Sequence, residues 1–438
     1  MSDTFNADRL ARLCDFLRQS PSPWHATSNM AARLEQAGFQ RLEEKANWQL
    51  APGKRYYVTR NDSAMIAFQL PASELTELRM IGAHTDSPGL HLKPNATQRS
   101  AGWLQLGVQV YGGVLLAPWF DRDLGLAGRV HVRHADGRLE SVLLNVDRAI
   151  AMVPSLAIHL DREVNSGRPI NPQTQMSPVL MQSGTATLPE LLVQWLKEQH
   201  DLNDVEVVDF ELGFYDVQPP SLVGVERELV ASARLDNLLS CFVGLEALLA
   251  CDGSQGAVLV ANDHEEVGSA SACGAQGPFL ADVLKRINAQ VGRGGEKGSE
   301  ESLIQLVQSS LMISCDNAHA LHPNFRDKHD ERHGPAINGG PVIKVNTSQR
   351  YATNSVTGAL FRDVCREAEV PVQSFVTRAD MGCGSTIGPI TATEIGVPTI
   401  DVGIPQWAMH SIRETAGTKD VEYLTRALTL FLNRATLS

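Results

Sequence analysis

The 438-residue chain has no CxxC pair, no long apolar run and no excess of basic charge. Its cysteines, at 14, 241, 251, 273, 315, 365 and 383, are scattered and odd in number. They suggest neither a disulfide framework nor a cysteine-type zinc site, and buried reduced thiols in a cytoplasmic protein are expected. Lys and Arg number 38 against 50 Asp and Glu, a net charge of −12. Nucleic acid and anionic membranes bind basic surfaces, so this balance argues against both as partners. No stretch approaches the roughly 18 apolar residues of a membrane span. The first residues, MSDTFNADRLARLCDFL, carry early acids in place of a secretory signal's apolar run. Internal repeats and low-complexity tracts are missing as well.

What is present is the composition of a soluble globular protein, 43% hydrophobic and 20% charged, with length enough for a large core and two domains. Helices are expected over the first residues, with Leu10, Leu13, Phe16 and Leu17 on one face, and over 28–37. Strands are expected at 55–60, 64–70 and 78–83, the last broken by Pro88 and Gly89. From 103 to 147 short alternating runs and Gly-rich turns predict antiparallel strands, with a hairpin at Asp136-Gly137. A helix at 188–199 and a strand at 205–213 complete this stretch. Beyond about 229, strands at 256–262, 311–315, 342–345, 372–376 and 398–403 alternate with helices at 236–251, 278–291, 354–368 and 419–435. That alternation predicts an α/β domain with a mainly parallel sheet, formed by 1–92 and 228–438 and interrupted by a β-rich insertion, 93–227. The segment GRGGEKGSEE, 292–301, reads as a surface loop.

Ligands of open α/β sheets bind beyond the carboxyl ends of the strands, and polar groups collect there. His84 and Asp86 follow the 78–83 strand; Asp263-His264-Glu265-Glu266 follows 256–262. Asp316, with His319 and His322 behind it, follows 311–315, and His410 comes shortly after 398–403. Asp236 opens a helix. Each has a plain alternative: His84 and Asp86 suit an exposed turn, Asp236 an N-cap, His410 an ordinary helix histidine. Together they are harder to dismiss. Imidazoles and carboxylates without cysteine suit a pair of zinc ions about 3.5–4 Å apart, which activates water for amide hydrolysis. Neighbouring side chains of extended backbone point apart, so one of Glu265 and Glu266 binds metal while the other acts as general base. The spacing does not say which does which.

The stretches GAHTDSPGLHLKP, WFDRDLGLAGRV, LAIHLDREVN, ASARLDN, NDHEEVGS, SCDNAHALHPN, GPVIKVN and MHSIRE resemble the M18 aspartyl aminopeptidases, in register from the first helix to the last. The resemblance implies a zinc-peptidase-like catalytic domain split by a dimerisation domain. It implies one zinc on His84, Asp236 and Asp316, and a second on Asp236, Glu266 and His410, with Asp236 bridging and Mn2+ or Co2+ as alternatives. Glu265 would be the base, and Asp86 would orient His84. Lys344 would contact the acidic side chain of the substrate's first residue, with Tyr351 and His319 framing it. His159 sits in the apolar run 156–160, which suits a core histidine; the resemblance instead sends it to a neighbouring subunit's substrate. The implied assembly is a tetrahedral dodecamer built from dimers, acting on peptides with N-terminal Asp or Glu. Two alternatives stand beside that activity: a neutral-residue aminopeptidase or other amide hydrolase, and a non-enzymatic assembly protein. The complete ligand set counts against the last.

Overall fold

The computed structural model describes residues 6–182, 185–292 and 297–437. The N-terminal residues MSDTF and residues 293–296 of the expected loop lie outside the described residues. That loop ends earlier than its composition suggests. Ser299 accepts the Ser302 N–H and caps a helix, Glu300–Ser309, so Glu300 and Glu301 are already helical.

Backbone packing divides the chain into two units. One comprises Met1–Asp86, Pro220–Met409 and Glu414–Ser438; the other comprises Ser87–Pro219 and His410–Arg413. The first unit is built on a nine-stranded sheet. Its spatial order is Gln40–Leu42, Arg55–Arg60, Ala64–Gln69, Gly256–Asn262, Leu78–His84, Leu311–Cys315, Thr399–Gly403, Val342–Lys344 and Gln373–Phe375. The four strands from Gly256–Asn262 to Thr399–Gly403 run parallel, and antiparallel pairs flank them. Side chains alternate between faces, as strand geometry requires. Ile81 and Leu259 join one core with Leu10, Met30, Phe242 and Leu428 of the helices, while Met80 and Val258 join another with Phe279, Val283 and Leu306. Each fully buried Leu, Ile or Phe in such a layer contributes about 1.5–3 kcal/mol.

Arg79, in the central strand, is fully buried. Its guanidinium donates to the carbonyls of Phe431 and Arg434 at the end of the helix Thr418–Asn433 and pairs with Glu77. Cations are favoured at helix C-termini, where the last carbonyls lack partners. A smaller five-stranded sheet, of Ser221–Val223, Leu229–Ser232, Glu414–Gly417, Pro405–Trp407 and Ala318–His319, has strands too short to register as periodicity.

The second unit is a six-stranded antiparallel sheet in the order Leu139–Ala151, Leu124–Arg133, Glu206–Asp216, Gly89–Ser100, Trp103–Tyr111 and Val179–Gln182. The helix Leu188–His200 shares its core through Leu192, Trp195 and Leu196, beside Val130 and Leu144. The hairpin falls where Asp136-Gly137 places it, with Gly137 at φ 86° and its N–H donated to the His134 carbonyl. Gly89 does not end strand structure but opens a twelve-residue strand. Pro94 is accommodated where that strand slips register, between Leu92 and Thr97, since proline has no N–H to offer a ladder.

Candidate metal centre

His84 is the last residue of the central strand and almost wholly buried. The pairing extends one step further, as the Thr85 N–H reaches the Asn262 carbonyl at 2.7 Å. Asp86 then meets the imidazole twice, through its backbone carbonyl 3.1 Å and its carboxylate 3.3 Å from Nδ1. A proton held on Nδ1 leaves Nε2 with its lone pair outward. That atom faces Asp236 at 3.4 Å, Asp316 at 3.8 Å and Glu265 at 4.0 Å.

The Asp86 carboxylate has a second task. Its two oxygens accept the backbone N–H groups of Glu265 and Glu266, each at 3.1 Å. The glutamates are not in extended backbone, as their place after an apolar strand suggests. His264 turns into the left-handed region at φ 62°, and Glu265–Val267 form one 3-10 turn closed by Gly268. They still diverge. Glu266 joins His84 and Asp236 in offering ligand atoms that all lie within 4.8 Å of one another.

Asp236 is not a plain helix cap. Arg234 caps the helix Leu235–Leu249, and Asp236 and Asn237 leave helical geometry inside its first turn. The Asp236 N–H is donated to the Glu414 carboxylate at 2.9 Å. The Asn237 amide donates to the Cys315 carbonyl and the Asn317 amide to the Leu235 carbonyl, so the segments bearing Asp236 and Asp316 are tied to each other. Cys241 adds an S–H to the His84 carbonyl. Glu414, Asn237 and Asn317 escaped the sequence reading; each stands in or beside a quoted motif, but nothing in the order of residues tells a support from a ligand.

The electrostatics follow from crowding. Burial works against protonating His84, but Asp236, Asp316 and Asp86 outweigh it and raise its pKa well above the ordinary value. Burial and the neighbouring carboxylates push Glu265 up to about 8, against the pull of His84, and push Glu266 well above the usual carboxylate range. Several carboxylates around one imidazole repel one another unless a cation joins them. The donor set, imidazole and carboxylate oxygen, suits a zinc-like ion.

Lys344 is buried beside this group, its Nζ 3.5 Å from Asp316, donating to the Asn317 carbonyl and 5.2 Å from the Tyr351 ring centre. Tyr351 and His319 line a cavity of about 300 Å³ whose wall also includes His322, Lys328, His329 and Arg378. His319 is exposed and stands edge-on to Phe375. His410 belongs to the second unit; its Nδ1 lies 3.0 Å from the Gly113 carbonyl. His159 also belongs there and is not a core histidine. Its neighbours Leu156, Ile158 and Leu160 are 52%, 47% and 76% exposed. Among the cysteines, all free, Cys14 and Cys383 are only half-buried, against the expectation of buried thiols throughout.

A buried imidazole and converging carboxylates beyond the ends of parallel strands suit a metal centre. Residues 16–432 match the family described as Aminopeptidase I zinc metalloprotease (M18). A probable M18 family aminopeptidase 2 of Ectopseudomonas mendocina is 54% identical over 424 residues, 96% of either chain. Among solved structures, that of the Ape4 and Nbr1 complex matches with a TM-score of 0.93 and 39% identity, covering 99% of this chain and 87% of that one. The S. cerevisiae mApe1 dodecamer matches with a TM-score of 0.84 and 26% identity, covering 96% and 95%. The chain belongs to the M18 family of zinc aminopeptidases. It is a metallo-aminopeptidase, and among the described residues no helix is long and apolar enough to cross a membrane.

Proposed function

We propose that the enzyme removes N-terminal aspartate and glutamate from peptides, using two zinc ions per subunit. His84, Asp236 and Asp316 hold one ion and Asp236, Glu266 and His410 the other. When bound, the ions supply Lewis acidity and a water acidic enough to ionise near neutral pH. Glu265 takes the proton from the attacking water and passes it to the leaving amine, while Asp86 holds both the His84 ring and the Glu265 backbone in place.

The observation that carries the acidic preference is the buried Lys344 ammonium beside Tyr351. An ammonium out of water needs an anion, and Asp316 is its neighbour in this structure. With Asp316 engaged by a metal ion, the charge of Lys344 is left to a substrate carboxylate. Lys328 and Arg378 on the cavity wall are already beside Asp327 and Asp380, and Asp330 shares that wall, so Lys344 alone carries the preference.

We assign the β-rich insertion, expected at 93–227 and packed as Ser87–Pro219, as the dimerisation domain of a homo-oligomer, a tetrahedral dodecamer; a yeast relative's structure is likewise named a dodecamer. The exposed apolar residues flanking His159 favour burial against a second copy, where His159 donates to the substrate's oxyanion in trans.

The test is a panel of N-terminal Asp, Glu, Leu and Ala substrates, assayed with metal content measured on the same sample, for the natural enzyme and Lys344→Met. The variant is expected to lose about tenfold or more in kcat/KM on acidic substrates and much less on neutral ones. An equal loss on all of them removes the specificity role.

A further inference from the structure

Behind the Lys344–Tyr351 pair lies a carboxylate that no metal site accounts for. Asp401, on the strand Thr399–Gly403, is fully buried, and its two oxygens serve different segments. Oδ1 accepts the hydroxyls of Ser314 at 2.8 Å and Thr386 at 2.6 Å. Oδ2 accepts the Ala352 N–H at 2.7 Å, and the Asp401 N–H is donated to the Thr353 hydroxyl at 3.0 Å.

These partners frame the cavity. Ala352 follows Tyr351, and Ser314 stands two residues before Asp316. Thr386 caps the helix Ile387–Ile395 and ends the loop whose Thr377, Arg378, Met381 and Cys383 line the wall. The helix comes close because residue 388 is glycine; a Cβ there would lie 2.4 Å from the Asp401 carboxylate. Burial pushes the Asp401 carboxyl above its ordinary range, and the nearby charge of Lys344 works against that shift without cancelling it.

We infer that Asp401 is a positioning residue for selectivity: it fixes Tyr351 and the 377–386 loop around Lys344, and so sets the shape in which an acidic first residue is received. This rests on the proposal that Lys344 meets that residue's side chain. A carboxylate suits the place because a protein interior offers few other groups that accept from two hydroxyls and an amide at once.

The experiment compares the zinc-loaded natural enzyme with Asp401→Ala, Asp401→Asn and Thr386→Val on aspartyl and leucyl peptides, with hydrogen exchange and metal content measured alongside. Asp401→Ala is expected to raise KM for the aspartyl peptide about tenfold while kcat and the leucyl reaction change by no more than about threefold. The amides at 350–353 and 377–386 should exchange faster, with zinc retained. Asp401→Asn, whose amide oxygen can still accept the Ala352 N–H, should recover most of the loss. Thr386→Val removes one partner and carries the same test if the alanine variant does not fold, with a smaller rise in KM confined to acidic substrates. A natural enzyme indifferent to the first residue overturns the reading of Lys344 itself. A selective natural enzyme whose variants keep their selectivity, or lose zinc and activity on all substrates alike, overturns the role of Asp401.

Discussion

In the nine-stranded sheet the strands ending at His84, Asn262 and Cys315 run directly into buried acids, whereas the six-stranded sheet buries only Arg129 and Asp216 among its described charged residues. Those two are balanced within their own unit, Arg129 by Glu211 and Asp216 by Arg122. Around His84 the balance fails even with Lys344 beside Asp316: Asp86, Asp236, Asp316 and Glu265 share one imidazole and that one ammonium. Buried charges that cancel locally are structural, and those that do not cancel call for a cation from outside the chain.

The sharpest way to break this contrast is to discharge one acid of the crowded group. Glu265→Gln is expected to lower kcat by about 10²–10⁴-fold with zinc content nearly unchanged, measured by metal analysis of the assayed sample. If zinc is lost with activity, Glu265 is a ligand and the division of the glutamate pair is reversed.

The contrast is put at risk from the other side by His159. Were the second unit only a scaffold, His159→Ala would cost nothing; as a donor to the oxyanion in trans it should cost about 10²–10³ in kcat with zinc and assembly intact. Mixing His159→Ala with Glu265→Gln subunits should then restore part of the activity. No recovery after demonstrated subunit exchange returns the histidine to its own subunit.

A smaller effect measures what burying an unbalanced acid costs the fold. Asp420 receives the Asn338 and Gly340 N–H groups, yet burial outweighs them and pushes its pKa up to about 7. In the unfolded chain it titrates near pH ~4. The folded state therefore holds a proton that the unfolded state has released, and stability falls as pH rises from about 4 to about 7, then levels. Asp420→Asn should lose that part of the slope. The check is the difference between the two melting temperatures as a function of pH; a flat difference across that window refutes it.

The first unit was far more legible than its supports. The strands at 256–262 and 311–315 stand where their apolar runs place them, because a strand buried on both faces writes itself as a nearly uninterrupted apolar segment. The acids after them were visible for the same reason. Glu414 and Asp401 were not, because their importance lies in partners far along the chain, Asp236 and Ala352, and no local pattern announces such a pairing. The turn at Glu265 was missed because positive φ is uncommon for any residue but glycine, and no local pattern marks His264 as adopting it. The strand from Gly89 was hidden by two prolines and a run of polar residues, which an antiparallel sheet tolerates on its solvent face.

Asp86 touches the His84 ring with its carbonyl and the Glu265 and Glu266 amides with its carboxylate, while Asn262 pairs with His84 in the adjacent parallel strand. The alignment of ligand and base is thus gauged by the width of one side chain and one strand spacing, and not by the length of polypeptide that joins them. The hydrogen bonds that set this gauge involve none of residues 87–219. A fold organised in this way is open to interruption at that point, and the chain carries an entire second unit there.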